Sequence, residues 1–232
     1  MFSNDDLKRL IIPLFLEQLL VALVGISDVF MVGFAGETAV SGGSLVNVFN
    51  TIFINLFTAL ASGGAVVISQ YIGRKDNKNS GKSASQLLLA SVLFSVCVSV
   101  ITLIFNTQIL KLMFGRVESG VMEACITYLR ISAYSYPALA IYNSGAGLYR
   151  SLGKTSTTMY ISVLANIINV VGNFIGVFLL NLGAIGIAFA MCFDWSIRGI
   201  ISWIRFKQGK WKKFSYLELE PSLKGGFELI FP

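Results

Sequence analysis

An aspartate near the end of the first apolar stretch is the strongest candidate for chemistry in this sequence. Asp28 has no Lys or Arg one helical turn away to neutralise it, and an ionisable group at membrane depth normally faces a partner or a wet cavity. A later apolar stretch carries Asn166, Asn169 and Asn173 at i, i+3 and i+7, on one face of a helix. Residue counts from the helix ends put Asn173 near the depth of Asp28. We therefore expect the two helices to share one polar site.

A carboxylate in such a site can serve two ligands in turn. Asp28 can be neutral when water is excluded and ionised when a wet path opens, and proton binding changes the cost of burying it. If a coupling ion and a cationic substrate compete for the ionised acid, or favour different arrangements of the bundle, their differential affinity can drive alternation. This chemistry is typical of ion-coupled transport.

A polar stripe in the second apolar stretch has members three or four residues apart, as expected for one helical face. Three phenylalanines, Phe49, Phe53 and Phe57, occupy a different face. We expect the aromatic face to meet lipid and the polar stripe to line an interior cavity. The alternative is that the stripe only forms hydrogen bonds between helices. Its members are Asn47, Thr51, Asn55, Thr58 and Ser62.

Among the other charged residues within the apolar stretches, three are candidates for a role in the site. Asp194 and Arg198 stand at i, i+4 with the acid first, the favourable order for a pair on one helix. We expect a self-neutralising pair, with Arg198 also able to extend toward the cytoplasm; a gate, a proton path or a place for Asp194 in the cavity lining is the alternative. For Glu17 we expect contact with interfacial water, and the alternative is a second protonatable site.

Six apolar runs must position these residues. Each holds roughly 20 residues or more, enough to cross a hydrocarbon core of about 30 Å as a helix. The first run is too long for the core of a signal peptide and carries Asp28, so we assign it to the mature protein. Pro13 and Pro137 are candidate bending points or merely tolerated kinks. The runs are Leu10 to Phe34, Leu45 to Ile72, Leu87 to Thr107, Ile126 to Leu148, Met159 to Leu182 and Ala184 to Phe206.

The basic residues between the runs predict the orientation. They concentrate before run 1, between runs 2 and 3, between runs 4 and 5, and after run 6, whereas the opposite connections hold few. Cytoplasmic loops carry the excess of Lys and Arg. We therefore expect a multi-pass protein of the cell membrane with both ends of this segment in the cytoplasm.

Composition excludes several other classes. The chain has 232 residues, of which 55% are hydrophobic and 13% charged, and a mean hydropathy of +0.73, so disorder and a nucleic-acid module are excluded. It has no histidine, and Cys97, Cys125 and Cys192 lie far apart, which gives no support to a zinc site or a disulfide framework. No cluster of nucleophile and base is visible, so we expect a protein that is not an enzyme.

The end of the sequence suggests a second unit. Residues 229–232, Leu-Ile-Phe-Pro, repeat the pattern of Leu10 to Pro13 after a basic to amphipathic segment. We predict a six-helix membrane lobe over residues 1–206, a cytoplasmic linker over 207–228 and the start of a second lobe at 229–232. The fold class is all-α integral membrane, one lobe of a transporter of about twelve helices.

Four segments, in order, resemble the multidrug and toxic compound extrusion (MATE) family. The first helix resembles that family in Pro13 and in the run from Gly25 to Gly33 around Asp28. The others are Ser69 to Gly73 at the exit of helix 2, Tyr149 to Thr155 between helices 4 and 5, and Asn169 to Asn173 followed by Gly183 to Gly186. The resemblance covers essentially the whole chain but only the N-terminal half of the family's architecture.

The resemblance implies an exporter of organic cations or amphipathic drugs in exchange for inward H⁺ or Na⁺, with no other cofactor and with a C-terminal lobe as partner. It implies that Asp28, Asn169 and Asn173 couple the cation and could bind Na⁺. From its place on the same helix face, Asn166 is a candidate for the lining of the cavity. Many members have Asp at the position of Asn173 and a hydroxyl residue at that of Met191, so Asp28 is the main charge of this lobe.

Three alternatives stay open. A related flippase for lipids or lipid-linked sugars calls for a broad cationic cavity, whereas the unpaired interior charge here is acidic. A membrane-embedded enzyme lacks visible catalytic residues. An ion channel or a membrane scaffold could use the same scattered Asn and Asp residues, and ion conductance without a counter-ion requirement would identify it.

Overall fold

Six α-helices account for nearly all of the computed structural model, which describes residues 4–34, 36–115, 117–180 and 182–208. Each helix holds most or all of one predicted apolar run, so the all-α prediction is confirmed. A short π-helix, Ile175–Leu179, continues α5. The helices are α1 Asn4–Gly33, α2 Glu37–Gly73, α3 Asn77–Phe114, α4 Ser119–Ser151, α5 Thr155–Phe174 and α6 Gly183–Gln208.

The predicted second unit falls mostly outside the part that the structure describes. Helix α6 continues two residues past the predicted lobe boundary, to Gln208. Residues 209–232, which include most of the predicted linker and the start of the second lobe, lie outside the described residues.

Helix α4 lies at the centre of the lobe, packed against α2, α3 and α6. Among the described helices, α1, α2, α3, α5 and α6 are long and apolar enough to cross a membrane. Helix α4 has 33 residues, but many are Ser, Tyr and Gly. Because three neighbouring helices screen it from lipid, α4 needs fewer aliphatic side chains than a helix at the lipid surface.

The aromatic face of α2 packs inside the lobe, so the prediction that it meets lipid is wrong. Phe49 and Phe57 are buried, and the ring of Phe53 lies 5.4 Å from that of Tyr136 on α4. Aromatic rings fill the wide groove between two helices and interact edge to face or tilted. The predicted contact with lipid failed because a lipid tail and a protein core are equally apolar.

Glycines bring α5 and α6 into close contact, and their Gly172-x-x-x-Gly176 spacing is typical of helices that pack closely in a membrane. A Cβ atom on Gly172 would lie 3.0 Å from the Cβ of Ala190, and one on Gly176 would lie 2.9 Å from the Cα of Gly186. Small residues let helix backbones approach where lipid supplies no hydrophobic drive. The two helices therefore form one wall of the lobe.

The proline of α4 has a neighbour that compensates for its missing N–H. Pro137 cannot donate to the carbonyl of Ala133, four residues earlier. The hydroxyl of Ser99 on α3 donates to that carbonyl at 2.6 Å. The backbone group freed by Pro137 is thus satisfied from α3, which favours a fixed kink over a moving hinge.

Helix α1 is attached to the rest of the lobe by few buried residues. Among its described side chains only Pro13, Glu17 and Met31 are buried, and its main neighbour is α5. Most of its large apolar side chains are exposed. Polar contacts on one face of α1 therefore carry much of its attachment.

Candidate functional site

The structure brings Asp28, Asn169 and Asn173 together between α1 and α5. The Nδ2 of Asn173 donates to the Oδ1 of Asp28 at 2.6 Å and to the Oδ1 of Asn169 at 3.1 Å. The two asparagines lie one turn apart on the face of α5 that meets α1, so a single amide can bridge both neighbours. We call these three residues the outer site.

The outer site combines a negative charge with an unused acceptor. Asp28 is half-buried, and none of the described Lys or Arg residues forms an ion pair with it. The Oδ1 of Asn173 is buried without a hydrogen-bond partner. A carboxylate next to an unpartnered amide oxygen can accept a proton or a hard cation that prefers oxygen ligands.

A π-helix follows the outer site directly. It begins at Ile175, two residues after Asn173, and continues the helix to Leu179. Such segments are rare and occur often at functional sites. The hydroxyl of Tyr128 on α4 contacts the sulfur of Met191 on α6 at 3.7 Å.

Glu17 is buried against α4 and α5, so the prediction that it contacts interfacial water is wrong. Its side chain is only 5% exposed. The hydroxyls of Tyr142, Thr158 and Ser162 lie 3.3, 3.4 and 3.5 Å from its carboxylate oxygens. The Nη2 of Arg150 lies 3.8 Å from Oε1. We call Glu17 and these three hydroxyl residues the inner site.

The position of Glu17 follows from helix geometry. Asp28 lies eleven positions after Glu17, which is about three turns of 3.6 residues, so both carboxylates lie on the face of α1 that meets α5. A count of residues to the membrane surface missed this relation. The spacing between the two acids is the signal that could have found it.

Asp194 and Arg198 form the predicted pair on α6. The Nε of Arg198 lies 3.0 and 3.1 Å from the two carboxylate oxygens of Asp194. Arg198 is 8% exposed, so it does not extend toward the cytoplasm. It turns to α5 instead, where Nη1 donates to the Oγ of Ser162 at 2.8 Å and Nη2 donates to the Oδ1 of Asn166.

The polar stripe of α2 does not line the interior of this lobe. Asn47, Thr51 and Asn55 are exposed on its surface, and the hydroxyl of Thr51 returns to the carbonyl of Asn47 at 2.8 Å. The Phe face of α2 fills the interior of the lobe instead, and the expected cavity lining stays a prediction for the complete protein. The stripe lies on the exposed surface of the lobe.

Sequence reasoning missed two sets of polar residues. Asn50 of α2 is fully buried between Ser132 and Tyr136 of α4, at 3.2 and 2.8 Å. On α5, Thr158 and Ser162 extend the asparagine stripe toward the start of the helix. Their spacing to Asn166 and Asn169 continues the same face, so the stripe itself held this signal.

The described residues contain no group of three or more His, Cys, Asp or Glu side chains that could hold a metal ion. A cation at the outer site would therefore be held by one carboxylate together with amide oxygens. Oxygen ligands of this kind suit hard cations, such as Na⁺, and not transition metals.

Comparison with known proteins independently supports the resemblance to the MATE family. The family model described as MatE matches residues 13–175. The chain is 25% identical over 177 residues to the uncharacterized transporter YisQ of Bacillus subtilis (strain 168), covering 76% of this chain and 38% of that protein. It is 30% identical over 192 residues to multidrug and toxin extrusion protein 1 of Homo sapiens, covering 81% of this chain and 33% of that protein.

A solved structure of similar fold is described as the crystal structure of MATE in complex with MaD3S. It has a TM-score of 0.89 and 21% identity, and the match covers 97% of this chain and 50% of that chain. The chain thus spans half or less of the length of the proteins that it matches. It belongs to the multidrug and toxic compound extrusion family of multi-pass membrane transporters and corresponds to the N-terminal lobe of that two-lobe fold.

Proposed function

We propose that this lobe is part of a secondary antiporter that exports organic cations or amphipathic drugs in exchange for inward H⁺ or Na⁺. The observation that carries the proposal is the contact between Asp28 and Asn173 at 2.6 Å. It joins α1 to α5 through a carboxylate that no described Lys or Arg neutralises. The positive charge that this carboxylate lacks is the one that a coupling ion supplies.

Either coupling ion fits the unpartnered oxygen of the outer site. Na⁺ could bind between the carboxylate of Asp28 and the Oδ1 of Asn173, which is buried without a donor. A proton on Asp28 could instead be shared with that same oxygen. In both cases the ion removes the net charge of the site, and the contact between α1 and α5 changes with it.

Coupling then follows from differential affinity. An ion that binds the outer site better in one arrangement of α1 shifts the population toward that arrangement. A cationic substrate is attracted by the ionised carboxylate, either in direct contact or through the electric field of the carboxylate. Binding of this substrate is therefore disfavoured while the ion is bound. Exchange of one for the other drives export against a gradient.

The exposed stripe of α2 supports a water-filled cleft between this lobe and a second lobe. Polar groups such as Asn47 and Asn55 are unfavourable against lipid tails, yet they are exposed on this lobe. A cleft lined by amides and hydroxyls suits amphipathic substrates that carry a positive charge. We place the protein in the cell membrane, with the basic helix ends in the cytoplasm and no enzymatic activity of its own.

The test uses the complete two-lobe protein in proteoliposomes loaded with a fluorescent cationic dye. We expect Asp28→Asn to abolish ion-driven dye efflux and to leave expression and thermal stability unchanged, because the amide keeps the shape of the carboxylate. Efflux driven by a pH gradient without Na⁺, compared with a Na⁺ gradient at equal pH, identifies the ion.

Asp76→Asn is the matched control. It makes the same chemical change at the start of α3, where the side chain of Asp76 accepts the N–H of Asn79, and Asn caps a helix about as well as Asp. We expect full efflux from this variant. An Asp28→Asn protein that still exports dye with the ion dependence of the unsubstituted protein would exclude Asp28 from coupling.

A further inference from the structure

Two carboxylates on one face tie α1 to the rest of the lobe. Asp28 holds its outer half through Asn173, and Glu17 holds its inner half through hydroxyls of α4 and α5. Because α1 buries few other described side chains, loss of either contact opens little of the apolar core. These two carboxylates therefore make the main polar contacts that hold α1 in place.

The hydroxyls around Glu17 hold its carboxylate loosely. Their distances of 3.3 to 3.5 Å exceed the 2.5–2.7 Å usual for a hydroxyl on an ionised carboxylate. Each hydroxyl also has another partner: Thr158 donates to the carbonyl of Thr155 at 2.7 Å, and Tyr142 and Ser162 contact each other at 3.3 Å. Each hydroxyl therefore keeps a partner when the side chain of Glu17 moves away.

The charged groups that face Glu17 are compatible with either charge state of its carboxylate. From α4, Tyr142 and Arg150 face it, and the side chain of Arg150 is 37% exposed, so this guanidinium can turn to water. From α6, Arg198 reaches Ser162 but is paired with Asp194. The described contacts from α5 are hydroxyls only.

We propose that Glu17 is a second proton site of this lobe, on its cytoplasmic side, and that proton binding there releases the inner half of α1. In the ionised state Glu17 attracts Arg150 and the three hydroxyls, and α1 stays docked. In the protonated state the ion pair is lost, Arg150 turns to water, and the inner half of α1 separates from α5. Glu17 is thus a positioning residue, and the direction of transport that it serves rests on the proposed function.

The first test measures the position of α1 without any transport. Spin labels on Phe15→Cys and Tyr160→Cys, both exposed, report the distance between the inner halves of α1 and α5 by double electron–electron resonance. The complete protein carries Asp28→Asn, so that the outer carboxylate does not titrate, and Cys97, Cys125 and Cys192 are replaced by Ala. Ile167→Cys with Ile200→Cys, on α5 and α6, is the control pair.

We expect the α1 to α5 distance to lengthen on acidification, while the control pair stays constant. With Glu17→Gln, which is neutral at every pH, we expect the longer distance throughout. A distance that ignores pH when Glu17 is present, or that follows pH in the Glu17→Gln protein, overturns the proposal. Because no substrate is involved, these outcomes are independent of the Asp28 efflux result.

The second test measures efflux while the pH on the cytoplasmic side is varied alone. We expect Glu17→Gln to flatten this dependence and to keep the dependence on external ion, whereas Gln18→Ala, at the exposed neighbouring position, keeps both. If Glu17→Gln does not fold, Tyr142→Phe replaces it, and loss of one donor should move the pH midpoint of the α1 to α5 distance upward. An unchanged midpoint contradicts the proposal.

Discussion

At the scale of single residues, Asn173 stands out because hydrogen bonds satisfy only part of its side-chain amide. One amide nitrogen donates to both Asp28 and Asn169, and the oxygen of the same amide has no donor. A buried acceptor without a partner is costly. The residue therefore fits a site that is complete only when an ion or proton is present.

We expect Asn173→Ala to change the ion requirement of efflux by about tenfold or more, because a hydrogen bond to a charged group contributes about 1.5–3 kcal/mol and about 1.4 kcal/mol is tenfold. If Na⁺ is the coupling ion, more Na⁺ is needed because a ligand oxygen is lost. If H⁺ is the coupling ion, less is needed because the ionised carboxylate has lost its donor. Ion titration of dye efflux in proteoliposomes measures the change.

Val171→Ala is the control for this prediction, since Val171 lies on the exposed face of α5 two residues away. Its ion titration should match that of the unsubstituted protein. An Asn173→Ala protein with an unchanged titration would mean that the contact with Asp28 is structural only.

Ser99 offers a second residue-scale prediction, on stability. Ser99→Ala leaves the Ala133 carbonyl beside Pro137 without its donor, and we expect the loss of about 1–2 kcal/mol of stability. Thermal unfolding in detergent measures the loss. Ser95→Ala is the control, because Ser95 donates to a carbonyl of its own helix, that of Val92, which already has a helical partner.

A double-mutant cycle separates the proline effect from other packing changes. In the Pro137→Ala protein, the new N–H of residue 137 can donate to the Ala133 carbonyl, so Ser99→Ala should cost less there. Equal costs in both backgrounds would mean that the Ser99 hydroxyl does not compensate for the proline.

At the scale of helices, the existence and order of the helices could be predicted well from the sequence. The neighbours of each helix could be predicted only poorly. Six long apolar runs suffice for six helices, because a buried backbone in lipid must satisfy its own hydrogen bonds. The face of α2 that carries Phe49 and Phe57 was predicted wrongly, since apolarity does not separate a lipid-facing side from a protein-facing one. Small residues are a better guide, because the spacing of Gly172 and Gly176 is typical of close helix packing and both glycines lie at such a contact.

The candidate site could be predicted only in part from the sequence. Asp28, Asn169 and Asn173 stand out because polar groups are expensive in a membrane, and residue counts along two helices gave their common depth. Glu17 was misplaced because depth alone says nothing about direction around the helix axis. Its partners Tyr142 and Ser162 were invisible as a set, since hydroxyls are common in membrane helices and only tertiary packing joins them.

The contact between α5 and α6 leads to an element-scale prediction. Gly176→Ala places a methyl group 2.9 Å from the backbone of Gly186, which cannot move aside as a side chain can. We expect the two helices to separate slightly, with a loss of about 1–3 kcal/mol typical of overpacking and a lower unfolding temperature in detergent.

Gly63→Ala is its matched control on α2, where an added Cβ meets nothing within 4 Å. That variant should be neutral, or more stable by up to about 1 kcal/mol, because Ala is the better helix former. If Gly176→Ala is no less stable than Gly63→Ala, the close contact does not limit the packing of α5 on α6.

At the scale of the whole molecule, the surface of the lobe is divided between two environments. Aliphatic side chains such as Ile104 on α3 are exposed and suit lipid, whereas the stripe of Asn47, Thr51 and Asn55 on α2 is exposed and polar. This chain spans half of the solved chain that it resembles. The polar part of its surface is therefore the part that we assign to the cleft facing a second lobe.

This division predicts which exposed positions meet water in the complete protein. A maleimide reacts with a thiolate, which forms in water and not among lipid tails, so Asn55→Cys should label rapidly and Ile104→Cys slowly in a background without native cysteines. A transported dye should slow the labelling of Asn55→Cys by occupying the cleft, and Thr51→Cys, one turn away on the same stripe, should behave alike. Equal, slow labelling of Asn55→Cys and Ile104→Cys would place the stripe against lipid or protein, and the substrate path would have to lie elsewhere on the lobe.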